Sequence, residues 1–268
     1  MSTVSISDSE FTQFQRFIYE AAGITMAPSK KALVSGRLAK RLAHCGVKSY
    51  GEYFRLLASG KSPDEVQTAV DLLTTNETYF FREQKHFDLL REVAQKASAS
   101  AQPFRVWSAA SSTGEEAYSI AMVLADCLGE RAWDVVGTDI SARVLERART
   151  GHYQLARTQN IPPSYLKRFC LKGAGAQEGT LLIERSLRNR VKFLAGNLNA
   201  ALPNIGEFDV IFLRNVMIYF NGNTKREVVA RAIALLKRGG HFLVGHSETL
   251  NDLTAAVQPV APSIYRKP

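Results

Sequence analysis

From Ser7 to about Leu73 the apolar residues recur at three- and four-residue steps. Phe11, Phe14, Ile18 and Ala22 make one row, Val34, Leu38 and Leu42 a second, and Val66, Val70 and Leu73 a third. Each is the spacing of a buried stripe on an α-helix. Ser7, with Glu10 three residues on, predicts a capping box. Ser62-Pro63-Asp64-Glu65 marks another helix start, with proline at the first helical position. On the second helix Arg37, Lys40 and His44 share a stripe away from the apolar one, which predicts a basic outer face. Residues 1–73 therefore read as a small helical domain.

The period then breaks. Thr74 to Arg82 is polar and then aromatic, and reads, with Glu83, as a linker. Its Tyr79-Phe80-Phe81 predicts that it folds against something, because exposed aromatic clusters are costly. Beyond it strand and helix signals alternate. Strands are expected at Phe104–Trp107, Trp133–Gly137, Val191–Ala195, Phe208–Leu213 and His241–Gly245, with Ser263–Arg266 as a last edge strand. Helices are expected at Gly114 to about Leu128, Ala142–Arg149 and Lys225–Leu236, the last ending at Gly239-Gly240 with Lys237 and Arg238 in its final turn. The unbroken run FDVIFL suits a strand buried on both faces. Such alternation predicts a parallel, doubly wound α/β sheet over 84–268.

One connection is far longer than usual. Between the second and third strands, Gly151 to about Arg190 carries Arg168-Phe-Cys-Leu171, the glycine-spaced turn Gly173 to Gly179, and Leu181-Leu-Ile183, and reads as a small inserted antiparallel hairpin. Lys96 to Gln102 is a short Ser/Ala loop.

Composition narrows the class. The 268 residues are 46% hydrophobic and 22% charged, the balance of a folded globular chain. Cys45, Cys127 and Cys170 form no CxxC pair, so neither a disulfide framework nor a zinc cage is expected, and no metal. MSTVSISDSEF lacks a basic-then-apolar leader, and no run approaches the ~20 apolar residues of a membrane span. The chain reads as cytoplasmic, and without an obvious apolar patch it reads as a monomer. The net charge of +9 suggests an anionic partner. It concentrates in two stretches: Lys30, Lys31, Arg37, Lys40, Arg41, Lys48 and Arg55, then Arg157, Lys167, Arg168, Lys172, Arg185, Arg188, Arg190 and Lys192.

In an open α/β sheet the ligand lies beyond the carboxyl ends of the strands. The loop after the first strand, Ala109 to Glu116, has small residues that let a backbone approach a ligand closely. It is neither GxGxxG nor a P-loop. Glu115 and Glu116 suit a helix start but would repel a pyrophosphate, and favour a cationic ligand. Asp139, at the end of the second strand, is placed to accept hydrogen bonds from ribose hydroxyls; an ordinary helix cap is the alternative. With Leu-Leu-Lys-Arg-Gly-Gly before a late strand, these features point to S-adenosylmethionine rather than a nicotinamide dinucleotide.

Five ordered segments, TTNETYFFRE (Thr74–Glu83), RVWSAASSTGEEAYSIA (Arg105–Ala121), GTDIS (Gly137–Ser141), FDVIFLRNVMIYF (Phe208–Phe220) and GHSE (Gly245–Glu248), resemble the chemoreceptor glutamate methyltransferase (CheR) family. The resemblance implies a Rossmann-like class I methyltransferase sheet, an all-helical N-terminal domain and an inserted β-subdomain. It implies S-adenosylmethionine as methyl donor, S-adenosylhomocysteine as product, and cytoplasmic chemoreceptor domains as partners. By position, the cofactor contacts fall on Asn76, Thr78, Arg82, Glu116, Asp139, Asn197, Leu198, Arg214 and Asn215. The family's receptor-docking helix corresponds to Arg37, Lys40 and Arg41. In some members the insertion binds a receptor C-terminal peptide as an added strand.

A glutamate acceptor is ionised at neutral pH, with a reference pKa of ~4.3, so no general base is required. Catalysis then rests on in-line positioning and a dry site. Arg82 and Tyr219 are the candidates for holding the incoming carboxylate. None of the five histidines is given a role; His44, His86 and His152 read as surface residues. Two other readings stay open. A nucleic-acid methyltransferase would also welcome a basic surface, although Arg214-Asn-Val-Met217 lacks the [DNS]PP[YFW] loop of amino-group methylases and no cysteine falls there. The other is a non-catalytic adaptor that senses the cofactor.

Overall fold

The computed structural model describes residues 5–97 and 102–268. The first four residues, part of the segment on which no leader was expected, and positions 98–101 of the Ser/Ala loop lie outside them. The chain forms two compact units, one of residues 1–75 with 219–224, the other of residues 76–218 with 225–268.

The first unit contains α1 (Asp8–Ala22), α2 (Lys31–His44), α3 (Tyr50–Ala58) and α4 (Pro63–Leu73). The capping box forms: Ser7 Oγ accepts from the Glu10 amide at 3.2 Å and Glu10 Oε2 from the Ser7 amide at 2.9 Å. Gly23, left-handed at φ 71°, ends α1. The predicted stripes point inward. Phe14 is fully buried among the rings of Tyr50, Tyr53 and Phe54, and each such side chain stabilises the fold by about 1.5–3 kcal/mol. Residues 219–224 join this unit, Phe220 forming a bridge with Ile24 and the Tyr219 carbonyl accepting from the Thr25 amide at 2.8 Å.

The second unit runs α5 (Lys85–Ala97), β1 (Phe104–Ala109), α6 (Glu115–Leu128), β2 (Trp133–Asp139), α7 (Ala142–Thr150), β3 (His152–Gln154), α8 (Pro163–Phe169), β4 (Cys170–Lys172), β5 (Thr180–Ile183), α9 (Arg185–Arg188), β6 (Val191–Ala195), β7 (Phe208–Leu213), α10 (Gly222–Ala234, its first turn in the other unit), β8 (Leu236–Val244), β9 (Gln258–Ala261) and β10 (Ile264–Arg266). The main sheet has the order β6-β2-β1-β7-β8-β10-β9. The first five strands are parallel, as expected, and β10 and β9 close the sheet antiparallel. This is the Rossmann-like class I methyltransferase arrangement. The strand order reverses between β1 and β7, where ligands of open α/β sheets bind.

Three expectations are corrected. The last helix ends at Ala234, and Lys237-Arg238-Gly239-Gly240 belong to β8. The Phe208 amide donates to the Leu235 carbonyl, and the register jumps from Phe208–Leu236 to Val210–His241. Gly239, left-handed at φ 75°, lets this extra stretch bulge. Ser263–Arg266 does not supply the edge: β10 lies between β8 and β9. The edge is β9, whose Pro259, with Pro262 just beyond it, lacks the N–H that an added strand would need. The insertion is a three-stranded antiparallel sheet, β3-β5-β4, because β3 adds to the expected hairpin. Among the described residues no helix is long and apolar enough to cross a membrane.

Candidate active site

The loop after β1 is built on left-handed backbone. Ala110, Ser112 and Gly114 have φ of 63°, 50° and 95°, so small residues here answer a conformational need as well as space. At Gly114 any Cβ would also fall 2.9 Å from Tyr153 Oη. The loop is pinned to β2: the Ser111 amide donates to the Thr138 carbonyl at 2.8 Å and the Ser112 amide to Asp139 Oδ2 at 2.9 Å. Asp139 Oδ1 accepts from the Ser141 amide at 2.9 Å. Asp139 is thus a cap at the strand end, a buried carboxylate held by backbone amides. Ser112 Oγ donates to the Asn76 carbonyl at 2.9 Å, which draws the linker onto the loop.

The linker's aromatics fold in as expected. Phe80 and Phe81 are buried, and the Phe81 amide donates to Ser119 Oγ at 3.0 Å. Arg82 is half-buried. Its guanidinium lies over the Tyr79 ring and donates to the Glu77 carbonyl at 3.4 Å. Among the described residues no carboxylate lies within ion-pair distance of it.

The glutamates around the loop are paired with arginines. Arg214, at the end of β7, is 1% exposed in its side chain and holds Glu83 Oε2 and Glu116 Oε2, each at 3.0 Å. It also donates to the Arg82 carbonyl. Glu116 accepts from Ser108 Oγ at 2.7 Å, and burial raises its pKa against the pull of Arg214. Glu115 is fully buried, 2.5 Å from Arg157 Nη2, while the same guanidinium donates to the Thr78 carbonyl at 3.3 Å. Glu115 and Glu116, which by sequence suit a cationic ligand, are paired with arginines from the insertion and from β7.

Sequence reasoning missed Glu83, Glu248, Arg157 and His86. Glu248 accepts from the amides of Asn215 (2.7 Å), Gly245 (2.8 Å) and Ile218 (3.3 Å), tying the ends of β7 and β8 together. The close approach explains GHSE, since a Cβ at Gly245 would lie 2.9 Å from Glu248 Oε2. His86 is not a surface residue; it is 1% exposed, on the inner face of α5 with Leu90 and Ala94. That i, i+4, i+8 spacing was the signal. Burial, with Arg214 nearby, lowers its pKa to about 4. His44 and His152 are exposed.

These contacts link Asn76 to Asp139 through Ser112, and Arg82, Glu116 and Asn215 to Arg214 and Glu83, while Thr78 meets Arg157. Asn76 and Thr78 also line a cleft of about 290 Å³ with Arg157, Gln159 and Asn160. Asn197 and Leu198 follow β6, the next strand beyond Asp139. There the Leu198 carbonyl accepts from Arg231 Nε at 3.1 Å, and Asn197 Oδ1 from the Asn199 amide at 2.9 Å. Tyr219 belongs to the helical unit, and its role rests on the resemblance alone. The donor set fits the nucleoside part of a cofactor: a strand-end carboxylate for hydroxyls and asparagine amides for the polar edges of a base. Ser111 Oγ, Arg214 Nε, Glu83 Oε2 and both His86 ring nitrogens are buried in this region without a hydrogen-bond partner, Glu83 Oε2 being held as an ion pair.

The candidate docking residues differ among themselves. Lys40 is exposed, whereas Arg37 donates to the carbonyls of Leu73 (3.1 Å) and Thr74 (3.0 Å) and Arg41 pairs with Glu65, which also accepts from Tyr53 Oη at 2.5 Å. In the second basic stretch Arg157, Arg168 and Arg190 are likewise engaged, Arg168 with Asp126 at 2.7 Å and Arg190 over the Trp133 ring.

Residues 76–265 match the family described as CheR methyltransferase, SAM binding domain, and residues 9–74 match CheR methyltransferase, all-alpha domain. The chain is 43% identical to the chemotaxis protein methyltransferase of Escherichia coli K12, over 93% of this chain and 87% of that one. It is 40% identical to the enzyme of the same name from Salmonella typhimurium, over 98% and 91%. With chemotaxis protein methyltransferase 2 of Pseudomonas aeruginosa it shares 42% identity over 96% and 92%. With both domain descriptions matched in order and relatives aligned along nearly the whole chain, this protein belongs to the CheR methyltransferase family.

Proposed function

We propose that this chain is a protein-glutamate O-methyltransferase: it transfers a methyl group from S-adenosylmethionine to glutamate side chains of cytoplasmic chemoreceptor domains, giving methyl esters and S-adenosylhomocysteine. The family supports the donor and the names of the relatives support the receptor. The single structural observation that carries the reading is Arg82, a guanidinium in no ion pair among the described residues, beside a loop whose glutamates are paired with other arginines. A methylase of neutral amines would have no use for it; an incoming carboxylate does.

Asp139 would hold the ribose hydroxyls, and Asn76, Thr78, Asn197, Leu198 and Asn215 the remaining polar edges, with Glu116 and Arg214 setting the frame beneath. When bound, S-adenosylmethionine supplies an electrophilic methyl group on a sulfonium. The acceptor is ionised already, and the carboxylates that could serve as a base are committed: Glu83 and Glu116 to Arg214, Glu248 to three amides. Arg82 orients the acceptor carboxylate, with Tyr219 as its proposed companion. Because Arg82 is half-buried, its hold stays loose enough to leave the carboxylate nucleophilic. Positioning of this kind supplies up to ~7–11 kcal/mol of barrier reduction.

Docking would use Lys40 on the outer face of α2. A groove of about 450 Å³ on the inserted sheet, lined by His152, Leu171, Lys172 and Gln177, supports capture of a receptor C-terminal peptide there, with Leu171 half exposed. The reading is tested by incubating the protein with methyl-labelled S-adenosylmethionine and receptor-containing membranes, then treating with alkali. Volatile labelled methanol is expected from a glutamate methyl ester; label that resists alkali would replace this acceptor with a nitrogen.

A further inference from the structure

Phe81 and Glu83, on either side of Arg82, both have left-handed backbones, at φ 55° and 63°. Neither is glycine, and such conformations cost about 1–3 kcal/mol each and persist only where surroundings enforce them. Burial of the Phe81 ring and its amide's bond to Ser119 enforce one side. On the other side stands the Glu83 carboxylate. Oε2 lies 3.0 Å from Arg214 Nη2, while Oε1 accepts from the His246 amide at 3.2 Å and Asn215 Nδ2 at 3.5 Å. One side chain thus fastens the linker to the ends of β7 and β8. Arg214 in turn holds the carbonyl of Arg82 itself.

We propose that Glu83 is a positioning residue that acts through Arg82: it keeps the bend in its strained form, so that the guanidinium is aimed before the acceptor arrives. The inference rests on the role given to Arg82 above. Glu83, His86 and His246 also bring possible ligand atoms within 4.8 Å of one another, the spacing of a cation site. Arg214, 3.0 Å from that same carboxylate, argues against it, because a divalent ion would enter beside a fixed positive charge. The cluster is a brace.

The test is a double-mutant cycle of Glu83→Gln and Arg82→Ala, with Glu83→Asp as the conservative variant. Glu83→Gln keeps the shape and loses the charge. It is expected to lower turnover about 10–100-fold, with the KM for S-adenosylmethionine little changed and Glu83→Asp recovering part of the loss. In the Arg82→Ala background the same change is expected to cost less than about threefold, since residues acting as a unit are not additive. Losses that multiply, or that track a fall in melting temperature equally in both backgrounds, would overturn the proposal and make Glu83 a purely structural residue. The cycle is run in parallel on S-adenosylhomocysteine affinity by calorimetry. If the acceptor assignment is wrong, the wild type itself yields no alkali-labile label; where it does label, affinity unchanged in all four proteins locates the coupling in turnover, and losses in turnover that multiply sink the positioning role on its own.

Discussion

Arg214 Nη1 lies 3.0 Å from Glu116 Oε2, joining the end of β7 to the first turn of α6 across the point where the strand order reverses. The same guanidinium reaches Glu83, so one buried cation balances two carboxylates from opposite sides of the cleft floor. Removing it leaves both without their partner. Arg214→Met is expected to cost about 3–5 kcal/mol, a fall of about 10 °C in melting temperature for a domain of this size. Adding Glu116→Gln should restore part of it. Scanning calorimetry of the two variants checks this, and a single variant as stable as the parent would refute the pairing.

Arg82→Ala should abolish most turnover at saturating donor and receptor while leaving the melting temperature within about 1 °C, because an exposed-side guanidinium with one long hydrogen bond contributes little to stability. Arg82→Lys keeps a charge but loses the planar fork that grips a carboxylate, and should recover only part of the rate. Near-normal turnover in Arg82→Ala would remove it from the mechanism.

His86 sets a pH dependence. Burial and the nearby Arg214 and His246 lower its pKa from the ordinary 6.5 to about 4, Glu83 opposing them. Between those values the unfolded chain binds more protons than the folded one, so stability rises with pH across the window. The contribution is complete above pH 6.5 and is lost as the pH falls towards 4. Urea midpoints measured at pH 7.5 and 5 should differ by more in the parent than in His86→Gln. Parallel slopes would show that the imidazole is not responsible.

Gly245→Ala should weaken the cofactor site by crowding one candidate contact, Asn215, and the carboxylate that holds that residue's amide. The added methyl would press on Glu248 at 2.9 Å and closer still on Asn215. Overpacking of this kind costs about 1–3 kcal/mol, or about tenfold in affinity where the strain is relieved in the unbound state. Calorimetric titration with S-adenosylhomocysteine reads the change.

Docking and folding can be separated on α2. Lys40→Glu should leave stability within about 0.5 kcal/mol and raise the KM for receptor, with cofactor affinity unchanged. Arg41→Glu should instead lower the melting temperature, because it sets a second carboxylate against Glu65. If Lys40→Glu methylates receptor as the parent does, the basic face of α2 is not the docking surface.

Much of this molecule is written locally. The helices of the first unit follow from apolar residues at three- and four-residue steps and from a cap between Ser7 and Glu10, interactions that close within one turn. The parallel strands follow from short apolar runs, and the place of Asp139 from its position at a strand end. What the sequence could not specify is which charges meet. Arg214 reaches the Arg82 carbonyl across 132 positions and the His246 amide reaches Glu83 across 163. No periodicity encodes such pairs. Local reading therefore found no partner for Glu115, Glu116 or Arg41 and placed His86 on the surface. The β8 bulge has the same origin, since Lys237 leaves the helix to meet Asp209 at 2.7 Å on a neighbouring strand. Patterns with short periods determined the elements, and five ordered segments carried the family resemblance; the site's electrostatics were decided by the tertiary fold, because a buried charge takes its partner from whatever the topology brings beside it.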